Sequence, residues 1–426
     1  MVQSVKSGSA RFHTRHGYAG KIPRRAGTGG RYRYIIVGGG LAGEKAIKGI
    51  RSRDREGSIL LLAAESHRPY DRPPLTKKLW FGKKKLEDIY LDPPDFYEKD
   101  GVSMRLGTRA VKCDATEKTV HDETGAAFQY EKLLIATGGT PRTLDIPGGQ
   151  LEDIFYYRSI DDYTRLRGLA REGASAIVIG GGFIGSEIAA ALNVNKVDVT
   201  MLFPSAYLCS RVFPEPLGTH IQEDFEKRGV RIFSHTTPTA IRKKGGRFAF
   251  TAKGREFEAD ILIVGAGISP NIELARSAGI KADDGIHVNE FLQTSDADVF
   301  AAGDCANFPY KALSKRMRVE HWDNALTQGT VAGENMAGAT NPYDHMPYFF
   351  SDLFDFGYEA VGEVNSALQT FADWQQENSK GVIYYLSDNR VRGVMLCNVW
   401  DKVEEARELI RKGETHTPAS LKGAIR

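Results

Sequence analysis

The first candidate functional motif in this sequence is a set of three glycines, Gly38, Gly40 and Gly43. Their spacing is typical of a loop that binds phosphates. Strand-forming residues precede them at 34–37, and helix-forming residues follow from Glu44. In that setting Gly38 allows a tight turn, Gly40 lets a pyrophosphate approach the backbone, and Gly43 lets helix and strand pack closely. The phosphates would then meet N–H groups at the N-terminus of the helix, where the helix dipole favours anions.

A ribose contact is predicted one strand later. The strand at residues 58–63 is followed by Glu65, which lies 22 positions beyond Gly43 (65 − 43). An acid at about this distance hydrogen-bonds a ribose hydroxyl in dinucleotide-binding folds. The alternative, a surface glutamate that ends a strand, is less favoured because Glu65 occurs together with the glycine loop.

The same pattern returns at Gly180, Gly182 and Gly185, after a strand-forming stretch at 176–179. Two such loops, each placed between a strand and a helix, indicate an internal repeat of two nucleotide-binding halves.

The strand after the second loop, residues 198–203, is not followed by an acid that would hold the ribose of NAD. The next arginine, Arg211, is too far along the chain to be placed beside a 2′-phosphate. We therefore predict NADH at this loop, with NADPH as the alternative.

Composition sets the limits on class and partners. The chain has 426 residues, a net charge of +3 and 41% hydrophobic residues, as expected for a globular protein of two or three domains. No apolar run approaches the ~18 residues of a membrane span, and a net charge this small does not favour a nucleic-acid partner. The four cysteines show neither a C-x-x-C pair nor a zinc spacing, which favours reduced thiols in a reducing compartment such as the cytoplasm.

Residues 1–33 differ from the rest of the chain, with eight Lys or Arg and no acid. Their composition predicts a disordered basic arm. A mitochondrial transit peptide is the alternative, and the compartment would then be the mitochondrion.

Other elements must position the two loops. Strands ending in glycine turns are predicted at 130–139 and 257–267, and a buried strand ends at Gly303-Asp304, where Asp304 can bind a polyol, cap the helix that follows, or do both. Two prolines at 73–74 predict a short helix with Lys77 near its start. From residue 346 short alternating strands and a helix at 403–412 predict an α+β domain.

These motifs together resemble the FAD-dependent pyridine-nucleotide oxidoreductases, a family that includes the ferredoxin reductases and the apoptosis-inducing factors. The resemblance covers about residues 34–414 and rests on both glycine loops and on the segments 72–75, 134–142, 202–204, 318–321, 356–362 and 380–386.

The resemblance implies an α/β fold with two Rossmann-like nucleotide-binding domains of the glutathione-reductase type and a C-terminal α+β domain. The implied domains are an FAD-binding domain at 34–142 and 268–339, an NAD(H)-binding domain at 143–267 and a C-terminal domain at 340–426, after the arm at 1–33.

By the same resemblance Lys77 and Glu187 form the catalytic pair beside the flavin, and a buried charge pair of this kind is consistent with the need of each ion for a partner. Phe183 would stack on the nicotinamide or shield the flavin, and Glu320 and His321 would lie near it. The full set of implied cofactor contacts is Gly38, Gly40, Leu41, Ala42, Gly43, Glu65, Arg72, Lys77, Val111, Thr137, Gly138, Arg142, Gly180, Gly182, Phe183, Ile184, Gly185, Glu187, Gly267, Asp304, Glu320, His321, Phe350 and Glu359.

Three departures from the family pattern stand out. Ser205 replaces an acid, Phe350 replaces a tryptophan, and the stretch between residues 368 and 380 is much shorter than the regulatory insertion of apoptosis-inducing factor. Release of such a loop on reduction is therefore not expected in this chain.

The function predicted is an FAD-dependent NADH oxidoreductase that passes hydride from NADH to flavin N5 and electrons on to a ferredoxin-type protein, a quinone or oxygen. A redox disulfide is not expected, because no cysteine pair follows either glycine turn. The alternative is a slow redox sensor or assembly factor, in which the NADH-reduced state controls formation of a homodimer or binding of a partner.

Overall fold

The computed structural model describes residues 29–425. Its first strand, β1 (Arg31–Val37), includes three residues that the sequence assigned to the basic arm, so the predicted end of the arm at residue 33 is wrong. Arg31 and Arg33 point to solvent, where Arg33 pairs with Asp54 at 2.8 Å, while Tyr34 is buried. Basic residues on the outer face of a strand therefore resembled a tail in composition. The rest of the predicted arm, residues 1–28, lies outside the described residues.

The first half of the fold is a parallel sheet around the first glycine loop. Its strands lie in the order β3 (Val102–Arg105), β2 (Ile59–Leu62), β1 and β6 (Ala127–Ile135), extended by the antiparallel strands β5 (Thr119–Asp122) and β4 (Ala110–Asp114). Buried runs such as Ile59–Leu62 are typical of parallel strands covered on both faces. In chain order the elements are β1, α1 (Leu41–Arg51), β2 (Ile59–Leu62), α2 (Phe96–Lys99), β3 (Val102–Arg105), β4 (Ala110–Asp114), β5 (Thr119–Asp122), β6 (Ala127–Ile135) and β7 (Gly139–Pro141), with short 3-10 helices at Pro73–Thr76 and Leu86–Ile89.

A second parallel sheet surrounds the second glycine loop. The elements that follow are α3 (Ile160–Leu169), β8 (Ser175–Ile179), α4 (Phe183–Val194), β9 (Asp198–Leu202), α5 (Glu215–Lys227), β10 (Arg231–Phe233), β11 (Arg242–Lys244), β12 (Arg247–Ala252), β13 (Arg255–Ala259), β14 (Ile261–Val264) and β15 (Ile268–Pro270). The parallel order is β10-β9-β8-β14, and β11, β12 and β13 form an antiparallel sheet beside it. Because β15 pairs with β7, the two connections between the halves form one antiparallel ribbon.

The chain then returns to the first sheet. It forms α6 (Glu273–Ser277), β16 (Ala282–Asp283), β17 (Gly285–His287), β18 (Val299–Ala301), β19 (Ala306–Tyr310), β20 (Lys315–Arg318) and α7 (Trp322–Met336). Strand β18 pairs in parallel with β6, and β16, β17, β19 and β20 form a separate small sheet. Helix α7 lies close against α1, since a Cβ added at Gly333 would lie 2.2 Å from the carbonyl oxygen of Ala46.

The C-terminal part is an antiparallel sheet with helices, as predicted. It contains β21 (Tyr348–Leu353), β22 (Phe356–Gly362), β23 (Gln369–Gln376), β24 (Lys380–Ser387), β25 (Arg390–Cys397), α8 (Val403–Lys412) and α9 (Pro418–Leu421), in the sheet order β21-β22-β25-β24-β23. The predicted hairpin between β24 and β25 is confirmed by the pairing of Ser387 with Arg390. Only residues 377–379 join β23 to β24, so the short connection expected from the sequence is a tight turn.

None of the helices within residues 29–425 combines the length and the apolar character that a membrane span needs.

Candidate functional site

The two glycine loops have nearly the same geometry. Gly38 has φ +132° and Gly180 has φ +123°, a region that side chains disfavour. A Cβ at Gly38 would lie 2.0 Å from the carbonyl oxygen of Ala136, and one at Gly180 would lie 2.4 Å from that of Gly265. Each loop therefore passes so close to a neighbouring strand that only glycine fits.

The second and third glycines differ from the first in what surrounds them. A Cβ at Gly43 would lie 2.0 Å from the carbonyl oxygen of Gly38, and Gly185 stands in the same relation to Gly180. A Cβ at Gly40 or Gly182 would meet nothing within 4 Å. These open positions are the N-caps of α1 and α4, and neither helix start receives a side-chain cap, which leaves room for a phosphate at each.

Glu65, the predicted ribose ligand, and Arg72, one of the cofactor contacts that the resemblance implies, form an ion pair. Tyr70 joins them, since its hydroxyl donates to Glu65 at 2.5 Å and accepts from Arg72 at 2.6 Å. Burial raises the pKa of the Glu65 carboxyl, but Arg72 and Tyr70 outweigh this effect and hold the pKa below its ordinary value. About a third of each charged side chain remains exposed, with 33% for Glu65 and 31% for Arg72, so both remain accessible to a ligand.

Asp304 reaches the same region from another strand end. It lies in a 3-10 helix, Gly303–Cys305, whose N-cap is Ala302, so the alternative role of Asp304 as a helix cap is wrong. Its carboxylate pairs with Arg158 at 3.0 Å, and the carbonyl oxygen of Arg158 accepts from Arg72 at 3.0 Å. Arg158 was missed in the sequence, because a lone arginine before a helix carries no motif.

Lys77 and Glu187 form a buried ion pair between the two halves, with 3.2 Å between Nζ and Oε1 and side-chain exposures of 7% and 8%. Thr76 donates to Glu187 at 2.5 Å, and Ser351 of β21 donates to the other carboxylate oxygen. The Lys77 ammonium also donates to the carbonyl oxygen of Phe350 at 3.3 Å and lies 4.6 Å from the centre of that ring. Three parts of the chain therefore meet at this pair.

Lys77 follows the 3-10 helix Pro73–Thr76 instead of starting a helix, so that part of the sequence prediction is wrong. With φ −130° its backbone leaves the helical path, and the side chain turns toward Glu187. Thr76 and Ser351 were also missed, since single hydroxyl residues in these segments give no sequence signal.

Aromatic rings lie beside the ion pair. His321, the N-cap of α7, stacks on Phe349 with 4.4 Å between ring centres, and Phe183, the first residue of α4, lies 5.4 Å from Phe349. Burial lowers the pKa of His321 to about 4, so the imidazole is neutral at pH 7. Phe349 was not singled out in the sequence, although it stands between two other aromatic residues, Tyr348 and Phe350.

Two further predicted contacts are acidic residues that differ in their hydrogen-bond partners. Glu320 pairs with Arg318 at 2.6 Å, whereas one carboxylate oxygen of Glu359 is buried without a hydrogen-bond partner among the described residues. Burial and then the charge of Asp401 raise the pKa of Glu359. A buried carboxylate oxygen without a partner is suited to receive a donor from a ligand.

Two of the predicted contacts, Thr137 and Arg142, form hydrogen bonds in the ribbon that connects the halves. Thr137 donates to the carbonyl oxygen of Asn271 at 2.7 Å, and Arg142 donates to that of Ile268 at 3.1 Å. The other predicted positions are Gly138 and Gly267 in turns, Leu41, Ala42 and Ile184 in the first turns of α1 and α4, and Val111 on β4 with 49% exposure.

These residues fit two nucleotide cofactors. The first loop combines an open glycine with the Glu65 and Arg72 charges, which suits FAD, and the second combines an open glycine with the aromatic side chain of Phe183. No acid stands at the end of β9, where Ser205 instead donates to the carbonyl oxygen of Tyr207 at 3.1 Å.

Comparison with known proteins agrees with binding sites for these two nucleotide cofactors. The sequence profile described as pyridine nucleotide-disulphide oxidoreductase matches residues 32–329. The profile described as the C-terminal part of apoptosis-inducing factor, mitochondrion-associated, matches 332–379 and 372–412.

Similar proteins include apoptosis-inducing factor 1, mitochondrial, from Dictyostelium discoideum, which is 34% identical over 90% of this chain and 79% of its own length. The ferredoxin–NAD(+) reductase component of the anthranilate 1,2-dioxygenase system of Burkholderia cepacia is 32% identical over 91% of this chain and 96% of its own length. Among solved structures, the covalent putidaredoxin reductase–putidaredoxin complex matches with a TM-score of 0.86 and 30% identity, over 91% of this chain and 95% of that one. Proteins of this kind are NAD(P)H-dependent flavoprotein oxidoreductases that bind FAD and NAD(H). The chain belongs to the pyridine nucleotide-disulphide oxidoreductase family and, within it, to the FAD-dependent oxidoreductases that resemble apoptosis-inducing factor and the ferredoxin reductases.

Proposed function

We propose that this protein is an NADH-dependent reductase that passes electrons, one at a time, to a small carrier protein of the ferredoxin type, without a redox disulfide. Bound FAD supplies the chemistry that converts the two-electron donor NADH into single electrons. The observation that carries the proposal is the buried pair of Lys77 and Glu187, which lies where the two glycine-loop halves meet.

The ion pair gives the site a fixed positive donor. Glu187 is held by two hydroxyl donors, Thr76 and Ser351, and therefore keeps the Lys77 ammonium in one place. A donor that is already oriented stabilises developing negative charge without reorganising during the reaction. We assign Lys77 this role and Glu187 the role of its anchor.

The aromatic side chains exclude water and keep a neutral ring in place. Phe183 and His321 both pack against Phe349. Because His321 stays neutral at pH 7, it adds no second positive charge beside Lys77. We assign these rings to shaping the space shared by the two cofactors.

The absence of a dithiol relay is supported by the cysteines. Cys113, Cys209, Cys305 and Cys397 are all buried and free. Burial raises the pKa of each of these thiols, which disfavours the reactive thiolate. Electrons would therefore leave the protein directly, and a carrier protein is the first choice because two of the similar proteins are named as ferredoxin or putidaredoxin reductases.

The acceptor is tested by steady-state oxidation of NADH with an acidic [2Fe–2S] ferredoxin, a neutral short-chain quinone and oxygen as separate acceptors. We expect the ferredoxin to give a kcat/KM at least about tenfold above oxygen, as steered protein association allows. Oxygen as the only acceptor that sustains turnover would contradict the proposal.

The second candidate, a slow redox sensor, is favoured by the match to the C-terminal part of apoptosis-inducing factor. It predicts slow turnover with every acceptor, a long-lived reduced complex, and a larger particle by size-exclusion chromatography after NADH is added. The tight turn at 377–379 provides no long loop for reduction to release.

A further inference from the structure

An unusual concentration of positive charge follows the catalytic lysine. Lys78, Lys83, Lys84 and Lys85 lie within eight residues that contain no acid. The backbone turns back on itself here, because the N–H groups of Lys83 and Lys84 donate to the carbonyl oxygen of Lys78 at 2.9 and 3.2 Å. We call these four residues the lysine patch.

The four lysines of residues 78–85 have no ion-pair partner in the part of the chain that the structure describes. Within residues 29–425, Lys78, Lys83, Lys84 and Lys85 form no ion pair, although other surface lysines such as Lys315 pair with a carboxylate. The nearest acid in sequence that touches this segment, Asp88, accepts from the backbone N–H of Lys85 at 2.8 Å and not from its ammonium. Unpaired surface charge of one sign produces a field that steers a partner of the opposite sign.

The patch is connected to the redox centre through Asp71 and Trp322. Burial, the largest effect, raises the pKa of Asp71, while the charges of Lys84, Lys78 and Lys45 act to lower it. Asp71 in turn accepts from the indole N–H of Trp322 at 2.8 Å.

Trp322 completes the connection because it directly follows His321, whose ring stacks on Phe349 beside the buried ion pair. On the other side, Lys78 directly follows Lys77. The lysine patch therefore borders the place from which electrons must leave.

We propose that the lysine patch is the docking surface for the electron acceptor and that the acceptor is a small carrier protein with an acidic face. The inference rests on the proposed function and adds the surface and the charge of the partner. Each NADH would reduce two carriers in succession, with NADH and two oxidised carriers giving NAD⁺, two reduced carriers and one proton. An anionic membrane or a nucleic acid would also be attracted by lysines, but only a carrier needs to bind beside the redox centre.

The test compares two triple charge reversals in the FAD-loaded protein. K83E/K84E/K85E changes the patch, whereas K281E/K311E/K412E makes the same change in net charge at exposed lysines in other parts of the chain. The acceptors are an acidic [2Fe–2S] ferredoxin and a neutral short-chain quinone, each measured at low and high salt.

We expect K83E/K84E/K85E to lower kcat/KM for the ferredoxin by about tenfold or more and to weaken its dependence on salt, because rim charges act mainly on association. Turnover with the quinone and the rate of flavin reduction by NADH should remain unchanged, and K281E/K311E/K412E should change the ferredoxin kinetics less than about twofold.

Equal effects of the two triple variants, or none in either, would overturn the docking proposal while leaving the reductase intact. Loss of binding to anionic vesicles with unchanged ferredoxin kinetics would show a membrane surface instead. Failure of the unaltered protein to transfer electrons from NADH to any acceptor would reject the proposed function itself, which is a separate outcome.

Discussion

The buried pair of Lys77 and Glu187 gives the sharpest prediction about this structure. Replacing Glu187 with glutamine keeps the shape, keeps an oxygen that can accept from one of the two hydroxyls of Thr76 and Ser351, and places an NH2 group that can donate to the other. It removes the charge that lies 3.2 Å from the Lys77 ammonium. That ammonium is only 7% exposed and would retain one carbonyl oxygen and one ring as neighbours. An uncompensated charge in such a place costs about 3–5 kcal/mol.

The reverse replacement, Lys77→Met, should cost less, about 2 kcal/mol, because the Glu187 carboxylate keeps two hydroxyl donors. The double variant K77M/E187Q contains no buried charge here and should recover to within about 1–2 kcal/mol of the unaltered protein. The coupling free energy between the two positions is then about 3–6 kcal/mol.

The assay is urea unfolding of the flavin-free protein, followed by fluorescence and by circular dichroism, with free energies taken where the two transitions coincide. The rate of flavin reduction by NADH is measured on the loaded protein in parallel. We expect the double variant to regain stability but not the rate, because only Lys77 supplies the donor. A loss below about 1 kcal/mol for Glu187→Gln, or single effects that simply add in the double variant, would refute a buried ion pair.

Three further predictions follow from other parts of the structure. Gly40→Ala should cost at most about 1 kcal/mol of stability, because its Cβ meets no protein atom, yet it should abolish retention of FAD. Gly182→Ala should retain FAD and raise the KM for NADH. Measured flavin content and NADH kinetics distinguish the two variants. As the pH falls from about 6.5 to 4, the free energy of unfolding of the flavin-free protein should decrease by up to about 3 kcal/mol more than that of its His321→Gln variant. The reason is that the unfolded chain binds the histidine proton more tightly than the folded site does. Urea midpoints at several pH values measure this difference. Arg407→Met should lower the stability by about 3 kcal/mol, since Arg407 is 7% exposed and pairs with a buried carboxylate at 3.1 Å, whereas the exposed Arg411→Met should change the urea midpoint little.

The parts of the site that local backbone geometry determines were predictable from the sequence. Gly38 and Gly180 are required by turns that no other residue can form, and the strand–loop–helix pattern around each one locates both nucleotide loops. The hairpin before Arg390 follows from the same kind of local rule, because Asp388 and Asn389 tolerate positive φ.

Contacts between distant segments were not predictable in the same way. The pairing of Lys77 with Glu187 was suggested by resemblance to a family, not by spacing, and the hydroxyl group of Ser351 joins it from a third segment. Arg158 and Phe349 lie in the site because strands and loops from separate halves converge there, and single residues of these types leave no periodic or motif signal.

The claim that the two glycine loops hold FAD and NADH side by side is tested most directly by the visible absorbance of the purified protein, recorded without oxygen before and after NADH is added. The structure predicts a yellow protein whose flavin absorbance disappears on addition of NADH. A colourless protein that takes up no added FAD, or a flavin spectrum that millimolar NADH and NADPH both leave unchanged, would contradict it.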